Sequence, residues 1–147
     1  MAEATSNQLR VRLVTPERTL FEQTAAAVEL PSKSGYMEVL YGHAPLLAEL
    51  GAGDVTVHGA AGEGAEQTIR YNVSWGFVEV LPDRVTILAN NALRPEEIDV
   101  ARAERELQHG QELWKKAGDS EEAYDEALQV IAEAEARIAS TQAAKAH

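Results

Sequence analysis

The stretch GFVEVLPDRVTILANNALRPEEIDVARA, Gly76 to Ala103, changes its grammar in the middle, and that change decides the fold. Its first half, GFVEVLPDRVTILA, is rich in β-branched and apolar residues on either side of Leu81-Pro82-Asp83-Arg84. A proline at the second turn position presets the backbone, so this half reads as two strands joined by a tight turn. The second half reads as helix. Pro95 suits a first helical position, where its missing N–H has no partner to lose, and Glu96 and Glu97 favour the positive helix start. Val100 and Ala103 then open a spacing of three and four that continues through Leu107, Gly110 and Trp114.

Toward the N-terminus the strand grammar persists. In LRVRLVT, Leu9, Val11 and Leu13 alternate with Arg10 and Arg12, which predicts one buried and one wet face. DVTVHG and QTIRYNV flank the glycine-rich AAGEGAE and read as a hairpin with its tip at Gly62 and Gly64. In LYGHAPLL, Gly42 lets the chain bend and Pro45 stiffens the start of the next strand, whose Leu46 and Leu47 are expected in the core. The whole region suggests about eight to ten short strands.

Toward the C-terminus, Gly118 stops the first helix, and Asp119, with Glu122 three residues on, reads as a capping box that starts a second. Tyr124, Ala127, Ile131, Ala134 and Ile138 repeat the same seam, so the two helices are expected to close as an antiparallel hairpin. The seam is alanine-rich, and each alanine brings far less apolar area into contact than a leucine, worth about 1.5–3 kcal/mol when fully buried. Two readings stay open: closed and open arrangements within a few kcal/mol of each other, or a hairpin that simply stays docked on the β-domain. The boundary is placed between a β-domain over residues 1–91 and a helical hairpin over residues 92–147.

Composition narrows the function. The chain has 147 residues, a formal net charge of −11 and no cysteine. The charge argues against nucleic acid and anionic lipid as partners, and the missing cysteines exclude disulfides and thiolate zinc sites. No apolar run is long enough to span a bilayer, so any membrane contact is expected only through another subunit. No constellation for chemistry emerges. His43, His58, His109 and His147 show no ligand spacing, and there is neither a phosphate loop nor a nucleophile elbow. The expectation is a protein that acts by contact, with no catalytic residue, metal or obligatory cofactor. A β-sandwich binding module with a helical dimerisation tail, or a nucleotide-sensing protein built around Asp99 and Arg102, are alternatives.

LVTPERTLFE (13–22), GYMEVLYGHAPLLAEL (35–50), GFVEVLPDRVTILA (76–89) and IDVARA (98–103) together resemble the epsilon subunit of F-type ATP synthases, called delta in mitochondria. The resemblance implies a ten-stranded antiparallel β-sandwich followed by a two-helix hairpin. It also implies a non-catalytic rotor subunit of the central stalk, touching the gamma subunit and the c-ring and coupling ring rotation to ATP synthesis. The expected location is the cytoplasmic face of the bacterial plasma membrane. An open hairpin would reach the alpha and beta subunits and restrain ATP hydrolysis. Tyr36, Gly42 and His43 fall at the positions associated with the partner interface, with Tyr36 replacing the usual acid. Ile98, Asp99, Arg102 and Arg137 match residues that hold regulatory ATP in some members, while Leu93 replaces an acid and Glu133 stands where another arginine is expected. The resemblance also implies that the brake sets basic residues of the second helix against an acidic loop of the beta subunits, and from Asp119 onward the only cations here are Arg137 and Lys145, which points to a weak brake.

Overall fold

The computed structural model describes residues 8–60 and 67–145. The glycine-rich tip at Gly62 and Gly64 and His147 lie outside the described residues. The chain separates into two compact units, Met1–Ala92 and Leu93–His147.

The first unit is built from β1 (Leu9–Val14), β2 (Thr19–Ala25), β3 (Ala27–Ser32), β4 (Gly35–Leu40), β5 (Leu46–Ala60), β6 (Gln67–Leu81) and β7 (Arg84–Leu93). They form one sheet in the order β2-β1-β7-β6-β5-β3-β4. Seven strands stand where about ten were expected. The difference lies in β5 and β6, each an unbroken 15-residue strand paired with the other over nearly its whole length. Nor is the sheet wholly antiparallel, because β1 runs parallel to β7. The edge strand β2 comes back against β5, four places away in the sheet, so the sheet curls around a single core.

That core follows the predicted alternation at its N-terminal end. Leu9, Val11 and Leu13 are buried and Arg10 and Arg12 exposed, with Arg10 reaching Glu22 on β2 at 3.1 Å. Val28, Leu30, Val39, Leu50, Val55, Val57, Tyr71, Val73, Val78, Val80, Val85 and Ile87 form most of the rest, with Phe21, Ala25, Ala60 and Ala89 at their side. On β6, however, strict alternation would turn Phe77 and Glu79 inward after Tyr71 and Val73. The pleat is reset instead at Trp75, with φ 60°, and Gly76, with φ 127°, so that Val78 and Val80 enter the core. Gly76 is obligatory on a second count, since a Cβ there would overlap the Leu88 carbonyl oxygen on β7.

In the second unit Pro95 opens a single 3-10 turn, Pro95–Glu97, instead of the long helix itself. The Arg94 N–H donates to Glu97 Oε1 at 2.8 Å, closing the turn in capping-box fashion. The first helix, α1 (Val100–Lys116), starts after a second cap, in which the Asp99 carboxylate accepts from the Arg102 N–H at 3.1 Å. Gly118, with φ 57°, ends it as expected. The cap of α2 (Glu121–Lys145) is Ser120, not Asp119, because the Ser120 hydroxyl accepts from the Ala123 N–H at 3.2 Å. A cap bonds three residues ahead, and the helix begins one residue later than the sequence suggested, which leaves Asp119 in the turn and Glu122 outside a capping box. The seam holds in part: Ala103, Gly110, Ala127 and Ala134 are buried and Val100, Leu107, Ile131 and Ile138 half-buried, whereas Trp114 and Tyr124, next to the turn, stay exposed. At Gly110 the helices approach so closely that a Cβ would stand 2.8 Å from Ile131 Cγ1. Among the described residues, no helix is long and apolar enough to cross a membrane.

Candidate functional site

The chain offers two surfaces that demand explanation, one in each unit. The first begins at the elbow between β4 and β5. Gly42 adopts φ 90°, which a side chain would resist, and its N–H donates to Pro82 O at 2.7 Å, tying the elbow to the β6–β7 turn. His43 is half-buried, with Nδ1 2.7 Å from its neighbour's carbonyl, Ala44 O. A carbonyl only accepts, so Nδ1 is the ring nitrogen that donates in this contact. The histidine thus caps its own turn.

Tyr36 lies at the other end of β4, six residues away, or about 20 Å at the usual rise of an extended strand. The structure therefore does not bring Tyr36 into one cluster with Gly42 and His43. The Tyr36 ring is 63% exposed, and its hydroxyl accepts the Asp54 N–H at 2.9 Å. It lies over Gly53, where a Cβ would collide with the hydroxyl.

Leu46 and Leu47 are not core residues. They are 39% and 70% exposed, because β5 begins at the rim of the sheet and Leu47 points outward with Glu49. Across the ladder Leu47 faces Glu79, and Glu49 faces Phe77, which is 50% exposed. The two-residue turn at Pro82-Asp83 sets Leu81 against Arg84, so Phe77 falls opposite Leu88, itself 48% exposed. Leu47, Phe77 and Leu88 thus form an outward apolar row across three strands, with Leu40, Tyr41 and Leu46 exposed around the elbow. The sequence carried a signal for this row: Leu47 and Phe77 share parity with the acids Glu49 and Glu79 two residues on.

The second surface is a cleft of about 230 Å³ lined by Leu93, Glu97, Ile98, Asp99, Arg102, Ala103, Glu106 and Arg137. All four candidate ligand residues, Ile98, Asp99, Arg102 and Arg137, line it, although Arg137 comes from the other helix. Asp99 and Arg102 are not a side-chain ion pair, since the carboxylate is spent on the helix cap. Arg102 Nε instead donates to Glu106 Oε1 at 3.0 Å. Arg137 Nη1 donates to Glu106 Oε2 at 3.1 Å across the helices, and Nη2 to Glu133 Oε1 at 2.6 Å along its own. The Arg137 side chain is only 17% exposed, so this interhelical pair is far less screened than a surface ion pair. Glu106 was not among the expected site residues, yet it joins both arginines. Among the described residues, no group of three or more His, Asp and Glu is placed to hold a metal.

The description "ATP synthase, Delta/Epsilon chain, beta-sandwich domain" matches residues 8–95. The chain belongs to the ATP synthase delta/epsilon family. An ATP synthase epsilon chain of Solibacter usitatus is 42% identical over 132 residues, covering 89% of this chain and 93% of that one. One of Koribacter versatilis is 42% identical over 108 residues, covering 72% and 71%. The chloroplastic epsilon chain of Porphyra purpurea is 34% identical over 145 residues, covering 94% and 98%. Among solved structures, a chain in the Euglena gracilis mitochondrial ATP synthase assembly of OSCP, F1 and c-ring shares the fold. It aligns with a TM-score of 0.72 at 22% identity over 96% of this chain and 82% of that one. The delta/epsilon match covers the whole β-unit described above, and the Solibacter and Porphyra relatives extend it into the helices.

Proposed function

We propose that this protein is a non-catalytic rotor subunit of the central stalk of an F-type ATP synthase. It holds the gamma subunit and the c-ring through its β-unit and couples ring rotation to ATP synthesis in the catalytic head. The observation that carries the reading is the outward apolar row of Leu47, Phe77 and Leu88 beside the exposed elbow residues Leu40, Tyr41 and Leu46. Torque transmitted by touch needs a stiff element with an apolar contact face. Continuous strands β5 and β6, tied at the turn by Gly42 and Pro82, supply the stiffness, and the row supplies the face. Tyr36, at the far end of β4, is assigned a separate contact with the same assembly. The protein works at the cytoplasmic face of a bacterial plasma membrane, held there only by its partner subunits.

The test is co-purification with gamma and the c-ring. Leu47→Glu with Phe77→Glu is expected to abolish the complex, while the exposed positions leave the isolated chain folded by circular dichroism. Retention of the complex by that double variant would exclude this face.

The charged cleft favours a second, regulatory reading, in which a nucleotide binds between the helices at Ile98, Asp99, Arg102 and Arg137. Such binding is weak, because Glu106 and Glu133 already occupy the Arg137 guanidinium and repel phosphate. Calorimetric titration with Mg-ATP tests it, and no heat at millimolar nucleotide removes it. The same pairing bears on inhibition. An open hairpin reaching the alpha and beta subunits carries few free cations toward an acidic loop, so the helical unit acts as a weak brake.

A further inference from the structure

At the turn joining the two helices, Trp114 and Tyr124 are 47% and 40% exposed, and Leu128, one turn after Tyr124, is 42% exposed. The two rings rest against each other, with centroids 6.1 Å apart and planes tilted by 46°. The rings join α1 to α2 beyond the buried seam of the small residues Ala103, Gly110, Ala127 and Ala134, yet each keeps close to half of its surface in water. Large aromatic side chains, held by mutual contact yet half open to water, are the material of binding hot spots.

The surrounding charge limits what covers the patch. Glu121 and Asp125 lie beside Tyr124 and Leu128 on α2, and Glu112, Asp119, Glu122 and Glu126 add charge at the same end of the hairpin, all exposed, against Lys115 and Lys116. None of these six carboxylates forms an ion pair among the described residues. The positive start of α2 accounts for Glu121 and Glu122, but not for Glu112, Asp125 or Glu126. A second copy would set one acidic rim against another, and an anionic lipid surface or nucleic acid would be repelled in the same way.

We infer that this end of the hairpin docks a basic amphipathic helix of a partner protein. The helix lays its apolar side on Trp114, Tyr124 and Leu128 and places its lysines or arginines between the carboxylates. The inference does not depend on the rotor reading, because it uses a surface of the helical unit that the proposed gamma and c-ring face leaves untouched.

The test uses the full chain with Trp75→Phe, which leaves Trp114 as the single reporter among its 2 tryptophans. The probe is a synthetic amphipathic Leu/Lys helical peptide of about 18 residues, long enough for five turns. A saturable change in Trp114 emission is expected, weakening with added salt. Glu121→Lys with Asp125→Lys should weaken the peptide at least about tenfold, and Tyr124→Ser with Leu128→Ser by a similar factor. The charge-reversal pair leaves seam and rings intact, so it keeps the test decisive even where the serine pair loosens the hairpin. Each of three results would overturn the inference: no saturable change, equal binding of a Leu/Glu peptide of the same pattern, or an affinity indifferent to the charge reversal. So would a dimer by light scattering that the serine pair dissolves, since a second copy would then be the occupant.

Discussion

At the residue scale, two glycines and one tryptophan carry more of the architecture than any leucine. Gly76 combines φ 127° with a backbone approach that leaves no room for a methyl group. Gly76→Ala is expected to cost about 3 kcal/mol or more, from the disfavoured dihedral and from overpacking together, and a urea midpoint measurement checks it. Trp75 at φ 60° adds backbone strain that the β6 ladder on either side holds in place. At Gly53 the missing side chain is what allows the Tyr36 ring to lie across β5. Gly53→Ala should displace that ring and break its hydrogen bond to Asp54 while the core stays packed. The outcome is a changed tyrosine environment by near-ultraviolet dichroism with a modest loss of about 1–2 kcal/mol.

At the element scale, the helical pair is closed by small residues and one charged bridge. Gly110 marks the closest approach, so Gly110→Leu should force the helices apart and lower the thermal midpoint of the helical signal. Arg137 joins Glu106 on α1 to Glu133 on α2. Arg137→Met removes the cation that ties Glu106 to Glu133, leaving Glu106 only the exposed Arg102, and is expected to destabilise the pair by about 1–3 kcal/mol, read by thermal denaturation. Glu133→Arg replaces a repulsive group beside the cleft with a cation, and should tighten Mg-ATP at least about tenfold in calorimetry. An unchanged affinity would show that Glu133 does not set nucleotide binding. The bridge was illegible in sequence, because its partners lie 31 residues apart along the chain.

At the scale of the whole molecule, removing the chain after Arg94 from an assembled ATP synthase is expected to change ATP hydrolysis by less than about twofold. Of the two cations past Asp119, Arg137 is already bound within the hairpin, so little remains to grip an acidic loop. A several-fold rise in hydrolysis would overturn the weak-brake reading. The sequence by itself determined the switch from strand to helix near Arg94, the inward phase of β1 and the elbow glycine. Each of these is written in spacings of a few residues, where backbone geometry ties neighbours to one face or one turn. Tertiary structure alone decided that β5 and β6 run unbroken and that Trp75 and Gly76 reset the pleat. It alone brought Arg137 to the cleft of Ile98, Asp99 and Arg102. Those outcomes depend on which distant strand or helix supplies the opposing surface, and short-range periodicity carries no record of that choice.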